Sequence, residues 1–167
     1  MAFSLLPDYC CGSVFEIDPQ ALRRHGVTLL LADLDNTLIS YDETMPDEKL
    51  FRFEESLRQA GIQLFLLSNS RKPERPCRFA QALGIPFLGH AGKPKRGGYQ
   101  KAMEQMGRTA EETMMVGDQI FTDVLGAKRT GIPVILVQPI RLAGNPGRYL
   151  RYGAELPMRF IRRRSHL

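Results

Sequence analysis

Four short groups of polar residues stand out in the 167-residue sequence. Asp33-Leu34-Asp35-Asn36-Thr37 follows the apolar run Val27-Thr28-Leu29-Leu30-Leu31-Ala32, and Ser68-Asn69 follows Ile62-Gln63-Leu64-Phe65-Leu66-Leu67. Lys93 comes after Ile85-Pro86-Phe87-Leu88, and Gly117-Asp118-Gln119 leads from Thr113-Met114-Met115-Val116 towards Thr122-Asp123. If the first and fourth runs are neighbours, Asp33, Asp35, Asp118 and Asp123 converge. Carboxylates gathered at one point repel, and some would take up protons through raised pKa values. A hard divalent cation removes that conflict, and all-oxygen ligands favour magnesium. The cation then shields an incoming anion from the acids. Ser68 and Asn69 can donate hydrogen bonds to a phosphate, and Lys93 adds a fixed positive charge. Together these residue types supply a nucleophile, an acid/base, a metal seat and a charge clamp, the parts that phosphoryl transfer needs.

The elements that must position them can be read from periodicity. The run 27–32 is nearly all apolar, the pattern of a strand buried on both faces. From Pro46 to Ala60, Leu50, Phe53 and Leu57 recur at helical spacing, with Pro46 suited to the start and Gly61 following the end. Strands are expected at 62–67, 85–88, 113–116 and 134–137, and helices at 76–83, 97–106 and 121–129. Pro86 hints that its strand lies at an edge. Strands alternating with helices imply parallel pairing through right-handed crossovers, hence a doubly wound α/β sheet. In such sheets ligands bind beyond the carboxyl ends of the strands, where all four polar groups fall. The histidines His25, His90 and His166 lie outside these groups and read as surface or loop residues.

In this order and spacing, the four groups resemble the four motifs of the haloacid dehalogenase (HAD) superfamily. More narrowly, the chain is similar to the YqeG-type, subclass IIIA phosphatases, which are related to mitochondrial phosphatidylglycerophosphate phosphatases. The Leu-Pro near the start, the length, Gly117-Asp118-Gln119 running into Thr122-Asp123-Val124-Leu125-Gly126, and the basic C-terminus carry that likeness. The resemblance implies that Asp33 attacks phosphorus and becomes an aspartyl phosphate. Asp35 would protonate the leaving group and then activate water. An aspartate at that place implies a phosphatase or phosphomutase rather than a dehalogenase. Magnesium would be held by Asp33, the main-chain carbonyl of Asp35, and Asp118. Asp123 would support the metal shell or Lys93. Thr37, Ser68, Asn69 and Lys93 would serve phosphate binding, with Thr37 bracing the loop. Lys95 competes with Lys93 for the third motif, and the Lys-Pro context favours Lys93.

No cap domain fits. One helix and one strand use up the stretch from Leu38 to Ser68, and another pair uses the 23 residues between Asn69 and Lys93. The site should therefore be open, with Arg71, Lys72, Arg75, Arg78, Lys95 and Arg96 placed to rim it. The expected division is a phosphatase domain over 1–140 and a basic tail over 141–167. That tail holds seven arginines against one acid, a net of +6, while the rest carries 16 basic and 17 acidic residues. Aromatic and aliphatic residues lie between the arginines, as in an interfacial helix. An anionic membrane is the partner this favours, with a phospholipid monoester as substrate and the inner membrane face as location. A soluble sugar phosphate or nucleotide is the alternative substrate. A non-enzymatic module on RNA or a ribosome is a third reading. Nucleic acid is not favoured, since a pure binder needs no intact catalytic set. The oligomeric state is not legible. With 43% hydrophobic residues, the composition excludes a disordered chain. The N-terminus lacks a basic segment and meets Pro7 and Asp8 early, so a secretory leader is not expected. Cys10, Cys11 and Cys77 fit neither a disulfide framework nor a zinc site, which suits a reducing cytoplasm. Cys10 and Cys11 are expected to be small buried side chains.

Overall fold

A computed structural model describes residues 5–70, 72, 74–141, 149 and 152–157. Six strands form one sheet: β1 (Tyr9–Cys11), β2 (Leu29–Ala32), β3 (Gln63–Leu67), β4 (Phe87–Leu88), β5 (Thr113–Gly117) and β6 (Val134–Val137). Their order is β1-β6-β5-β2-β3-β4 and every pair is parallel. The helices include α1 (Pro19–Arg24), α2 (Glu48–Gln59), α3 (Glu74–Leu83), α4 (Arg96–Met106) and α5 (Leu125–Thr130), and the described residues 152–157 are helical as well. A π-helical turn over Ile120–Val124 precedes α5. The expected doubly wound α/β sheet is present, and no cap domain interrupts it among the described residues.

Period-two alternation along the strands sorts the core into two layers. Leu30, Ala32, Leu64, Leu66, Met114 and Val116 face one way and pack on Leu50, Phe53 and Leu57 of α2 and Phe79 and Leu83 of α3. Leu29, Leu31, Phe65, Leu67 and Met115 face the other way, onto Tyr99, Ala102 and Met103 of α4 and Ala127 of α5. The side chain of Asp47 accepts from the Leu50 N–H at 2.9 Å, a cap of a kind that contributes about 1 kcal/mol. It starts α2 one residue after the Pro46 signal.

The central pair is what positions the chemistry. From β2 the chain runs outwards through β3 to β4, with Pro86 just before that edge strand, then returns to lay β5 on the opposite side of β2. The strand order thus reverses between β2 and β5, a switch point where a crevice opens at the carboxyl ends. Ala32 lies opposite Val116 there, so Asp33 and Asp118 emerge side by side.

β1 and α1 have no counterpart among the strands and helices expected from periodicity. β1 is three residues long and pairs with β6 at the sheet edge (Cys10 opposite Leu136). Cys11 is buried there, Cys10 half-buried. His25 and His90 are exposed, as expected, and His166 lies outside the described residues. Among the described residues no helix is long and apolar enough to cross a membrane.

Candidate active site

Asp33 stands directly after β2 and is buried. The chain then turns back on itself. The N–H groups of Thr37, Leu38 and Ile39 all point to the Leu34 carbonyl, and Asn36 takes a φ of 61° to close the turn. Asparagine tolerates that left-handed conformation better than most residues. Asp35 is thereby turned to the mouth of the crevice.

Lys93 reaches in from the β4–α4 connection. Its Nζ donates to Asp33 Oδ1 at 2.6 Å and to Asp123 Oδ1 at 2.7 Å, with the lysine side chain 1% exposed. Burial opposes its charge, but Asp123 and Asp33 outweigh that and raise its pKa above the ordinary lysine range. The side chain of Asn69 grips the main chain of the same lysine, accepting from Lys93 N–H at 2.8 Å and donating to Lys93 O at 2.9 Å. Lys95, the competitor, is exposed and occupies the N-cap position of α4 without a side-chain capping bond. Ser68 is fully buried, and its Oγ accepts from Ser70 N–H at 3.1 Å.

Asp118 and Asp123 come from the β5 side. Thr37 Oγ1 donates to Asp118 Oδ1 at 3.5 Å, tying the first loop to the fourth. Asp123 is completely buried, and burial pushes its carboxyl up while Lys93 holds it down. Its second oxygen accepts from Gln119 N–H at 3.1 Å. Gly117 makes that approach possible, because a Cβ there would strike the Asp123 carboxyl. On the other side the Tyr99 hydroxyl points at the carbonyls of Thr122 and Asp123, 3.2 and 3.3 Å away.

Carboxylate oxygens of Asp33, Asp118 and Asp123 lie within 4.8 Å of one another. Such a set of hard oxygen donors suits a divalent cation. Both Asp123 oxygens already accept hydrogen bonds, from Lys93 and from Gln119, so Asp33 and Asp118 are the side chains better disposed to hold one.

Above this floor opens a cavity of about 620 Å³. Its lining includes Asp33, Asp35, Asn69, Lys93 and Thr122, together with Tyr41, Lys72 and Arg75. Of the basic residues expected at the rim, Lys72 and Arg75 line it and Arg78, Lys95 and Arg96 do not. Arg71 lies outside the described residues. Arg75 is no loose surface charge. It forms an ion pair with Asp35 and donates to the carbonyls of Ser40 (3.0 Å) and Glu43 (2.8 and 3.0 Å). Tyr41 backs its guanidinium, with the ring centroid 5.5 Å away. The partnership joins residues far apart in sequence, so no local pattern announces it.

Glu155 was also beyond sequence reasoning. It is the single acid of the basic segment, yet it is buried, and its Oε1 accepts from Ile120 N–H (2.9 Å) and Phe121 N–H (3.3 Å). Those amides lie two and three residues after Asp118 and begin the π-helical turn.

The family description for a haloacid dehalogenase-like hydrolase matches residues 9–131. The chain belongs to that family of hydrolases. It is 33% identical over 165 residues to "Probable phosphatase YqeG" of Bacillus subtilis, an alignment covering 97% of this chain and 94% of that one. Within the family the protein is a phosphatase. It is also 31% identical to the chloroplastic "Phosphatidylglycerophosphate phosphatase 1" of Chlamydomonas reinhardtii, over 84% of this chain and 55% of that protein. The fold is similar to that of a cobalt-bound deoxy-D-mannose-octulosonate 8-phosphate phosphatase from Haemophilus influenzae. The TM-score is 0.51 at 18% identity, covering 81% of this chain and 89% of that one.

Proposed function

We propose that the protein is a magnesium-dependent phosphomonoesterase that works through an aspartyl phosphate on Asp33, with a lipid phosphomonoester of the phosphatidylglycerophosphate type as substrate. The reaction rests on one observation: a buried lysine joined to Asp33 and Asp123, beside Asp118, at the switch point of the sheet. Lys93 occupies one oxygen of Asp33 and fixes the carboxylate, so the other oxygen is the one to attack phosphorus. The bond from phosphorus to the leaving alcohol breaks as that new bond forms. Asp35 delivers a proton to the leaving oxygen, then takes one from the water that opens the acyl phosphate. A cation on Asp33, Asp118 and the Asp35 carbonyl would offset the negative charge of the phosphoryl oxygens. Thr37 braces Asp118, Asn69 places Lys93, and Ser68 and Lys93 serve the phosphate. Asp123 acts by holding Lys93.

The lipid part is supported by the mouth. The cavity has no folded lid among the described residues. Tyr41 on its wall is 53% exposed. Ile140 is 52% exposed, and Met45, which lies two residues beyond the Glu43 carbonyl that Arg75 grips, is 55% exposed. Ile140 is fastened to the first loop through the Asn36 carbonyl. Large apolar groups beside basic Lys72 and Arg75 suit a site that faces an anionic lipid surface. The Chlamydomonas relative points the same way.

Phosphate release is the test, with magnesium, comparing phosphatidylglycerophosphate in mixed micelles with a panel of soluble phosphate esters. Asp33→Asn should abolish turnover of every ester and leave the fold intact. Retained turnover in that variant sinks the covalent mechanism. A preference for soluble sugar phosphates or nucleotides keeps the mechanism and removes the lipid.

A further inference from the structure

One phosphoryl group needs the floor of the cavity and little more. Lys93, Asp33 and Asp118 meet it there. A volume of about 620 Å³ belongs to the range that holds a drug-sized ligand, so most of it receives the leaving group. The outer lining of the cavity is polar, and it includes two cations, Lys72 and Arg75. Arg75 touches Asp35, the group that hands a proton to the leaving oxygen, so the arginine stands on the leaving-group side.

Its attachment is informative. Three of its hydrogen bonds go to the neutral carbonyls of Ser40 and Glu43, which fix the guanidinium, and one NH1 hydrogen goes to the Asp35 carboxylate, so the other NH1 hydrogen is the one turned to a ligand. Tyr41 covers one face. The orienting entropy of a long side chain is thus met by the fold before any ligand arrives. Lys72 adds a second cation on the same wall. A cation fixed in this way, with a second one beside it in the lining, is superfluous for a simple alcohol and useful for an alcohol that carries an anion of its own.

We infer that Arg75, backed by Tyr41 and joined by Lys72, forms a subsite for a second oxyanion on the leaving-group alcohol. In the lipid reading, on which this rests, that oxyanion is the phosphodiester of the headgroup. A soluble ester with a second phosphate presents the same chemistry.

The experiment separates the sources. With the full chain and magnesium, kinetics are measured on glycerol phosphate, on glycerophosphoglycerol phosphate, and on phosphatidylglycerophosphate in mixed micelles. The second compound adds a phosphodiester and no acyl chain. The parent protein should prefer it to glycerol phosphate at least ten-fold in kcat/KM. Arg75→Ala should erase that preference, losing roughly ten- to a hundred-fold more on the diester-bearing ester, mostly through KM. Arg75→Lys should recover part of it. Tyr41→Ala, at an exposed position, should give a smaller loss in the same direction. Equal losses on the two soluble esters, or no preference in the parent, overturn the subsite. A parent that favours the soluble diester yet ignores the micelles upholds the subsite and sinks the lipid reading. Lipid turnover without any Arg75-dependent preference does the reverse.

Discussion

Lys93 determines what the carboxylates around it can do. Its ammonium is held inside the protein between Asp33 and Asp123 by two of its three N–H donors. Because its pKa is raised above the ordinary value, its stabilising contribution is complete below about pH 10 and fades only above that. Removing it strands two buried acids. Lys93→Met should cost about 3–5 kcal/mol at pH 7. Without the lysine, burial and the neighbouring Asp33 push the Asp123 carboxyl up against the Gln119 N–H alone, so the folded form gains by taking up protons and the cost should shrink at pH 5. Denaturant melts in chelator at the two pH values check this; an equal loss at both contradicts it. The acids and this lysine were legible in the sequence because each comes just after a strand or close behind one, where the fold class says to look. Arg75 could be read only as a rim charge, and Tyr41 not at all. The meeting of Arg75 with Tyr41 and Asp35 depends on how the carbonyls of Ser40 and Glu43 come to the first turn of α3, which no local spacing encodes.

At the level of elements, the interior strands were legible to within one or two residues, because burial on both faces demands an unbroken apolar run. β1 was not, since an edge strand of three residues needs no such run and its register is set by β6 far along the chain. The signal for α1 was present in Asp18-Pro19, where Asp18 accepts from Gln20 N–H at 2.9 Å. The helix expected at 121–129 is in fact two pieces, a π-helical turn over Ile120–Val124 and then α5. The first piece places Asp123 against Lys93, and Tyr99 packs where a side chain on Gly126 would otherwise sit. Gly126→Ala should therefore cost about 1–3 kcal/mol through overpacking. In a double-mutant cycle with Tyr99→Leu the combined loss should be smaller than the sum. Additive losses would show that the two do not share the space.

For the whole molecule, the question is which side faces the substrate's surroundings. Ile140 and Met45 are more than half exposed, so charging them leaves the core untouched. Ile140→Asp, alone or with Met45→Asp, should lower turnover on anionic vesicles several-fold and leave hydrolysis of a soluble aryl phosphate within two-fold, comparable to the roughly 0.5 kcal/mol tolerance of surface substitutions. A matching loss on both substrates would place those residues in the reaction itself. The basic tail expected from the sequence lies largely outside the described residues, and its arginines beyond 157 enter only through their charge. One of its residues is different. Glu155 clasps the Ile120 and Phe121 amides, so the loop that follows Asp118 is completed by a residue 35 positions beyond Ile120 along the chain. Chain surgery must respect that. A truncation at residue 140 would remove a structural member of the Asp118 loop along with the arginines, and inactivity would be misread as lost membrane attachment. A cut after Pro157 removes Arg159, Arg162, Arg163 and Arg164 while sparing the clasp.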